Sequence, residues 1–175
     1  MKKLLISLSL IAGIHTIGTA QKLGKSKISV GAELGYAVNN PLSGIAGNNG
    51  WGVGAGGSLQ VDHFFKENLS GNIYAGIIAY SGKSSSSSTK NKGYTTIPIR
   101  VGLSGYATNR LHAGAQVGVG LNSYNGSSIT SFAYSPQVGY NFSRNEKPLD
   151  LTFKYDGYAG HGGFGALGLR LSLFL

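Results

Sequence analysis

The last ten residues of the chain alternate strictly between two kinds of side chain. Every odd position from 167 to 175 is leucine, whereas the even positions from 166 to 174 hold Ala, Gly, Arg, Ser and Phe. Successive side chains of a strand point to opposite faces, so a period of two predicts a β-strand with one continuous apolar face. A helix would spread the same five leucines around its circumference. This ending therefore favours β-structure.

Seven further segments repeat the alternation. From Leu111 to Asn122, odd positions hold Leu, Ala or Val and even positions hold His, Gln, Asn or Gly. The remaining segments follow the same rule with occasional interruptions, as at Gly57, Ile78 and Pro136. The pattern predicts eight strands, over residues 28–36, 51–62, 69–80, 96–104, 111–122, 134–142, 149–155 and 166–175.

The connections between these segments alternate in length. Short ones span 63–68, 107–110 and 143–147, and longer polar ones span 39–50, 82–93, 125–128 and 157–163. Short turns at one end and longer loops at the other are typical of outer-membrane barrels, in which the termini and the short turns face the periplasm. Pro98 and Pro136 lie inside predicted strands, where a β-bulge is expected at each.

The first twenty residues have the pattern of a secretory signal peptide. Lys2 and Lys3 precede a short apolar core, and Gly18-Thr19-Ala20 supplies a cleavage site after Ala20. The apolar core is well below the roughly 20 residues of a transmembrane helix. We therefore expect a signal peptide at 1–20, a short periplasmic segment at 21–27 and a transmembrane barrel at 28–175. The chain has no cysteine, which excludes a lipid-anchored amino terminus, disulfides and thiolate metal sites.

The net charge of +9 does not indicate nucleic-acid binding. Two of the basic residues leave with the signal, and most of the other lysines lie in loops and turns rather than on one face. Outer-membrane lipids are the expected partners of these loops. No nucleic acid and no cofactor is expected, and we predict a monomer.

A soluble eight-stranded barrel, such as a lipocalin, is the main structural alternative. Its apolar face would point inward around a ligand, and its outer face would be charged. A water-exposed surface carries roughly a quarter or more charged residues, whereas the whole chain has 12%. The alternation therefore favours an apolar face against lipid and a polar lumen that side chains fill.

The polar faces of the strands carry a few charged or amide side chains. A charge in a narrow lumen must find partners, so we predict that Glu33 pairs with Arg170 across the seam between the first and last strands. Arg100 and Lys154 are expected to join Asp150, Asp62 or Asp156. The predicted lumen network is Glu33, Arg100, Gln116, Gln137, Asp150, Lys154 and Arg170.

Aromatic residues concentrate near both ends of the predicted strands. Outward-facing members would form the interfacial girdles of a membrane barrel. The predicted girdle contains Trp51, Tyr94, Tyr134, Tyr140 and Phe142.

Catalytic and metal sites have little support in the sequence. Only His161 would lie near the outer surface beside serines, which are Ser123, Ser127 and Ser128. All four residues are accounted for as ordinary loop residues without a catalytic role. The three mature histidines lack ligand spacing. We predict that the chain is not an enzyme and holds no metal.

The segment Tyr94-Thr-Thr-Ile-Pro-Ile-Arg-Val-Gly-Leu103 resembles the aromatic-x-x-Ile-Pro-Leu strand of small outer-membrane β-barrel domain proteins of the Bacteroidetes type, which include PorT-like proteins. The similarity extends over nearly all of the mature chain, and the signal ends before Gln21, as is usual there. The carboxyl-terminal strand resembles the signal that the barrel-assembly machinery reads. The resemblance implies an outer-membrane location and an eight-stranded antiparallel up-and-down transmembrane β-barrel.

The sequence predicts a structural or surface-interaction role through the external loops. A narrow pore for small solutes and a lipid-modifying outer-membrane enzyme are the alternatives.

Overall fold

The chain forms one closed antiparallel barrel of eight strands that pair in sequence order. The structure, a computed structural model, describes residues 26–39, 51–66, 68–82, 93–108, 110–142, 149–160 and 163–175, with only the backbone described at Asn39 and Trp51. The strands are β1 (Ser26–Asn39), β2 (Trp51–Lys66), β3 (Leu69–Gly82), β4 (Tyr94–Tyr106), β5 (Leu111–Tyr124), β6 (Ser127–Asn141), β7 (Leu149–Ala159) and β8 (Phe164–Phe174). The predicted fold class, an eight-stranded antiparallel up-and-down transmembrane β-barrel, is confirmed.

The period-two pattern sets which side chains enter the barrel. Odd positions point inward in β1 and β6, and even positions point inward in the other six strands. Pairing of β1 with β8 closes the barrel and places Glu33 directly opposite Arg170. A one-residue slip would turn every leucine of β8 into the lumen, so the apolar face fixes the register.

The two ends of the barrel differ. One end carries the start of β1, the end of β8 and the connections β2–β3, β4–β5 and β6–β7; we call it the terminal end. The opposite end, the loop end, carries the other four connections. The strands have 11 to 16 residues, which is enough to cross a bilayer as tilted strands.

The prediction of a longer loop between β5 and β6 was wrong. The β5–β6 connection, expected to be one of the longer loops, is a two-residue turn at Asn125 (φ 50°) and Gly126 (φ 82°). Two successive positive φ angles define the type I′ turn, and Asn-Gly is its preferred sequence. β6 consequently begins at Ser127, seven residues before the predicted start.

The predicted bulges at Pro98 and Pro136 are also absent from the described strands. Pro98 stays in register opposite Gly120, and Pro136 stays opposite Ala115. Proline removes a single N–H donor, so one backbone hydrogen bond to a neighbouring strand is missing while the register is kept. Irregularities occur instead near strand ends, in β1 between Ala37 and Asn39 and in β2 near Trp51 and Lys66.

The outward face of the barrel is apolar. Among the described strands, Lys66 at the very end of β2, opposite Leu69, is the only Lys, Arg, Asp or Glu at an outward position. Large side chains such as Val53, Ile73 and Leu103 are 58–60% exposed there. Among the described residues no helix is long and apolar enough to cross a membrane.

Candidate functional site: the filled lumen

The lumen is filled by three layers of inward side chains. Nearest the loop end is an apolar and aromatic group that we call the outer plug: Ala37, Ile78, Tyr80, Tyr94, Ala133, Tyr158, Phe164 and Ala166. The middle layer, the charge cluster, contains Glu33, Tyr74, Arg100, Lys154, Asp156 and Arg170. Toward the terminal end lies the polar base: Gln60, Asp62, Asn72, Ser104, His112, Gln116, Asp150 and Thr152.

Glu33 lies at the centre of the charge cluster. Its Oε2 is 2.9 Å from the ammonium of Lys154, and its Oε1 is 3.5 Å from Nε of Arg170. The hydroxyl of Tyr74 donates to Oε1 at 2.9 Å. One carboxylate on β1 thus contacts side chains from β3, β7 and β8.

Asp156 forms the second anionic centre. It pairs with Arg100 from β4, and its Oδ2 is 3.2 Å from Nζ of Lys154. The ring of Tyr74 lies beneath both cations, with its centroid 4.4 Å from the Arg100 guanidinium carbon and 4.7 Å from Lys154 Nζ. Cation–π contact in a desolvated site adds to the attraction of the carboxylates.

The cluster contains three cations and two carboxylates, and each of them is at most 3% exposed. Neutral acceptors complete the shell of Arg170, which donates to Ser58 Oγ at 2.9 Å and to Ser29 Oγ at 2.8 Å. Buried charges are tolerated when they are paired and hydrogen-bonded in this way. Lys154, Asp156 and Glu33 therefore tie opposite walls of the barrel together.

The polar base is a separate hydrogen-bonded group. Gln116 donates to Asn72 Oδ1 at 2.9 Å and to Gln60 Oε1 at 3.3 Å. Gln60 donates in turn to both carboxylate oxygens of Asp62 at 3.0 Å. These bonds connect β2, β3 and β5 across the lumen.

Asp150 belongs to the polar base and not to the charge cluster, which corrects the expectation that it could join Arg100 and Lys154. Its Oδ2 is 2.9 Å from His112 Nε2, and its Oδ1 accepts from Thr152 at 2.7 Å. Asp150 precedes Lys154 by four residues on β7, about 13 Å along a strand, so the two side chains lie at different depths. Asp156, and not Asp150, lies at the same depth in the barrel as Arg100.

The outer plug is built around Phe164. The ring of Tyr158 stacks on it at 4.6 Å and 10° between planes. Tyr94 and Tyr80 meet it edge to face, at centroid distances of 4.9 Å and 5.5 Å. Ile78, which interrupts the polar face of β3 in the sequence, is 1% exposed and packs in this plug.

Tyr94 is a correction to the predicted girdle. It was expected to face lipid, yet it is 5% exposed and lies inside the barrel. The signal was present in the sequence, because Tyr94 shares the parity of Arg100 on the same strand. An aromatic residue near a strand end can face either the lipid or the lumen. Its odd or even position along the strand decides which face it occupies.

The other predicted site residues divide by face. Tyr134, Tyr140 and Phe142 are 36%, 37% and 54% exposed on the outside of the barrel; the side chain of Trp51 lies outside the described residues. Gln137 faces the lumen and is the register partner of Lys154.

Glycines on the inner wall make room for the large lumen side chains. A Cβ at Gly31 would stand 2.7 Å from Nε of Arg170, and one at Gly120 would stand 2.6 Å from the ring of Tyr158. Both distances are shorter than real Cβ contacts, so a side chain at either position would displace Arg170 or Tyr158.

The catalytic candidates do not assemble into a site in the described part of the chain. Ser123, Ser127 and Ser128 are exposed at the loop end, and His161 lies outside the described residues. Within the described ranges no group of three or more His, Cys, Asp or Glu side chains could hold a metal ion.

Comparison with known proteins identifies the fold. No protein-family model matches the sequence, and no curated protein matches it. Ail of Yersinia pestis, solved in complex with the heparin analogue sucrose octasulfate, aligns with a TM-score of 0.58 at 15% identity, over 87% of this chain and 99% of that chain. The Neisserial surface protein A (NspA) aligns at 0.53 and 14% identity, over 86% and 96% of the two chains.

The outer membrane protein OprG of Pseudomonas aeruginosa aligns at 0.52 and 11% identity, over 89% of this chain and 94% of its own. Identities this low establish the fold and nothing finer. The closed order of eight strands, the apolar outer face and these alignments agree. The chain has the fold of the small outer-membrane β-barrels.

Proposed function

We propose that the protein is a monomeric outer-membrane barrel with a sealed lumen that acts through its external connections. The observation that carries the proposal is the charge cluster, in which Glu33, Arg100, Lys154 and Asp156 link β1, β4 and β7 across the barrel. A lumen crossed by bonded side chains, with the outer plug above and the polar base below, supports a structural or surface-interaction role over a pore. An eight-stranded barrel is just wide enough for side chains to fill.

The outward face supports the membrane placement. A surface whose outward positions in the described strands carry no Lys, Arg, Asp or Glu except Lys66 at a strand end suits hydrocarbon and not water. Tyr134, Tyr140 and Phe142 would then serve in the interfacial girdles. Export would use the signal at residues 1–20, and assembly would use the barrel-assembly machinery that reads the carboxyl-terminal strand.

One external connection suggests the chemistry of the surface partner. Residues 83–92, which join β3 to β4 at the loop end, contain Lys83, Lys90 and Lys92, five serines and no acid. The similarly folded Ail was solved with the polyanionic sugar sucrose octasulfate. We infer that polysulfated or otherwise polyanionic glycans are candidate surface partners of this protein, attracted by the lysines.

Planar-bilayer recordings test the sealed lumen. The purified mature protein, reconstituted beside a general porin as positive control, is expected to give no current steps. Discrete, reproducible steps from this protein would contradict the proposal and support the alternative of a narrow pore for small solutes.

Heparin-affinity chromatography tests the surface partner. Replacement of Lys83, Lys90 and Lys92 with glutamine should lower the salt concentration needed for elution. The matched control replaces Lys22, Lys25 and Lys147, which precede β1 or lie in the β6–β7 connection at the opposite end. Equal loss of retention in the two triple variants would refute a loop-end site, because it would show an effect of net charge alone.

A further inference from the structure

The terminal end of the barrel contains a cavity of about 460 Å³ beneath the polar base. Its wall includes Lys27, Phe64, Tyr106, Asp150 and Phe174, together with Asn68, Thr108 and Asn141. Pockets for small molecules have volumes of roughly 300 to 1,000 Å³ and combine aromatic walls with a few placed polar groups. The cavity has both properties, and the surface role proposed above makes no use of it.

Lys27 supplies a cation at the rim. Its Nζ lies 5.3 Å from the ring centroid of Phe64 and 5.6 Å from that of Phe174. Within the described residues it forms no salt bridge with a carboxylate. The two aromatic contacts restrict the ammonium group without neutralising its charge. The Lys27 side chain therefore loses less conformational entropy when an anionic ligand binds.

Asp150 supplies an acceptor at the floor. It lines the cavity although it is 3% exposed. His112 and Thr152 each occupy one of its carboxylate oxygens, and each oxygen keeps a second lone pair. Hydroxyl groups of a ligand could donate to it, whereas a second carboxylate would be repelled.

Tyr106 forms an aromatic wall between rim and floor. Its ring packs 5.3 Å from Phe64 and 5.4 Å from His112. The wall, the cation and the buried acceptor together set the ligand chemistry. The ligand needs an anionic group at one end, hydroxyls at the other, and a compact body between them.

We propose that this mouth binds a small hydroxylated carboxylate such as a sugar acid. The ligand carboxylate pairs with Lys27, its hydroxyls donate to Asp150, and the sugar ring lies against Tyr106 and Phe64. An inorganic anion would leave the acceptor at the floor unused, and a neutral sugar would leave the cation unused. The inference goes beyond the proposed surface role and does not depend on what the loop end binds.

Titration calorimetry on the detergent-folded mature protein tests this with two related sugars. The probes are N-acetylmuramic acid, which carries a carboxylate, and N-acetylglucosamine, which lacks it. We expect the acid to bind about threefold to tenfold more tightly, the range for one charge-assisted contact at a partly exposed site. Equal affinity for the two sugars, or no binding of the acid at about 10 mM, where even millimolar affinity would register, would overturn the proposal.

A pair of lysine variants locates the site. Lys27→Gln should reduce affinity for the acid by about the same threefold to tenfold and leave the neutral sugar unaffected. Lys66→Gln, an exposed lysine at the same end that does not line the cavity, should change neither. An unchanged affinity in Lys27→Gln, in a variant that retains the compact unboiled band of the folded barrel on a gel, would refute the site. The two-sugar comparison needs no variant and stands if Lys27→Gln does not fold.

Discussion

Asp156→Asn should be among the most destabilising conservative substitutions in the chain. The change keeps the size of the side chain and removes one of two carboxylates in the charge cluster. Arg100 and Lys154 then lose their shared anion while both remain 0–1% exposed at the side chain. The cluster goes from three cations and two anions to three cations and one anion.

The magnitude follows from the geometry. At the 3.2 Å that separates Lys154 Nζ from Asp156 Oδ2, the Coulomb attraction is about 5 kcal/mol with an effective dielectric constant of about 20. Breaking a buried ion pair by removing one partner costs about 3–5 kcal/mol. We therefore expect the free energy of unfolding to fall by about 3–5 kcal/mol.

Equilibrium unfolding of the detergent-folded barrel in guanidinium measures the loss. Glu67→Gln, an acid in the β2–β3 connection, is the matched control and should stay within about 0.5 kcal/mol of the wild type. Arg100→Gln combined with Asp156→Asn leaves two cations and one anion, and the double variant should be more stable than Asp156→Asn alone. A loss below about 1 kcal/mol for Asp156→Asn, the scale of an exposed ion pair, would refute the account of an interlocked, desolvated cluster.

Three further substitutions and one control substitution test other parts of the structure by unfolding measurements. Gly120→Ala places a Cβ 2.6 Å from the ring of Tyr158 and should lower the free energy of unfolding by about 1–3 kcal/mol. Gly57→Ala is the control and should be nearly neutral, because the nearest atom to its Cβ is 3.7 Å away. Equal effects of the two substitutions would contradict the packed lumen. Gly126→Ala puts a side chain at φ +82° and should cost about 1–2 kcal/mol, unless the β5–β6 turn has another conformation. Leu171→Arg, opposite Ala32 and Leu151, should cost about 2–4 kcal/mol in lipid vesicles if that position faces the bilayer interior, and a neutral effect would place it elsewhere.

Much of the barrel could be predicted because its strands carry simple two-sided patterns. β8 is the clearest example, since its five odd-numbered leucines leave one choice of inward face and place Arg170 at the depth of Glu33. The seam contact between these two side chains follows from closure of the first strand on the last. Neither step requires knowledge of how the lumen is packed.

The parts that could not be predicted depend on three-dimensional packing between strands distant in sequence. Asp62, Asp150 and Asp156 were equal candidates for Arg100 because each lies on an inward face, and only strand stagger selects Asp156. The outer plug was missed because Tyr94 was judged an interfacial aromatic by its position at a strand end, and Phe164 was assigned to neither face. Their parity, together with Ile78 on the inward face of β3, would have indicated an apolar layer inside the lumen.

The central claim is that the leucine face of the barrel contacts lipid and the opposite face is sealed inside. The chain has no cysteine, so single cysteines at Leu171 and Ser172 can carry a spin label without background. In vesicles, we predict that the Leu171 label is relaxed by oxygen dissolved in the bilayer and that the Ser172 label is reached by neither oxygen nor a water-soluble nickel chelate. Strong relaxation of the Leu171 label by the nickel chelate would show that this face meets water, and it would contradict the account.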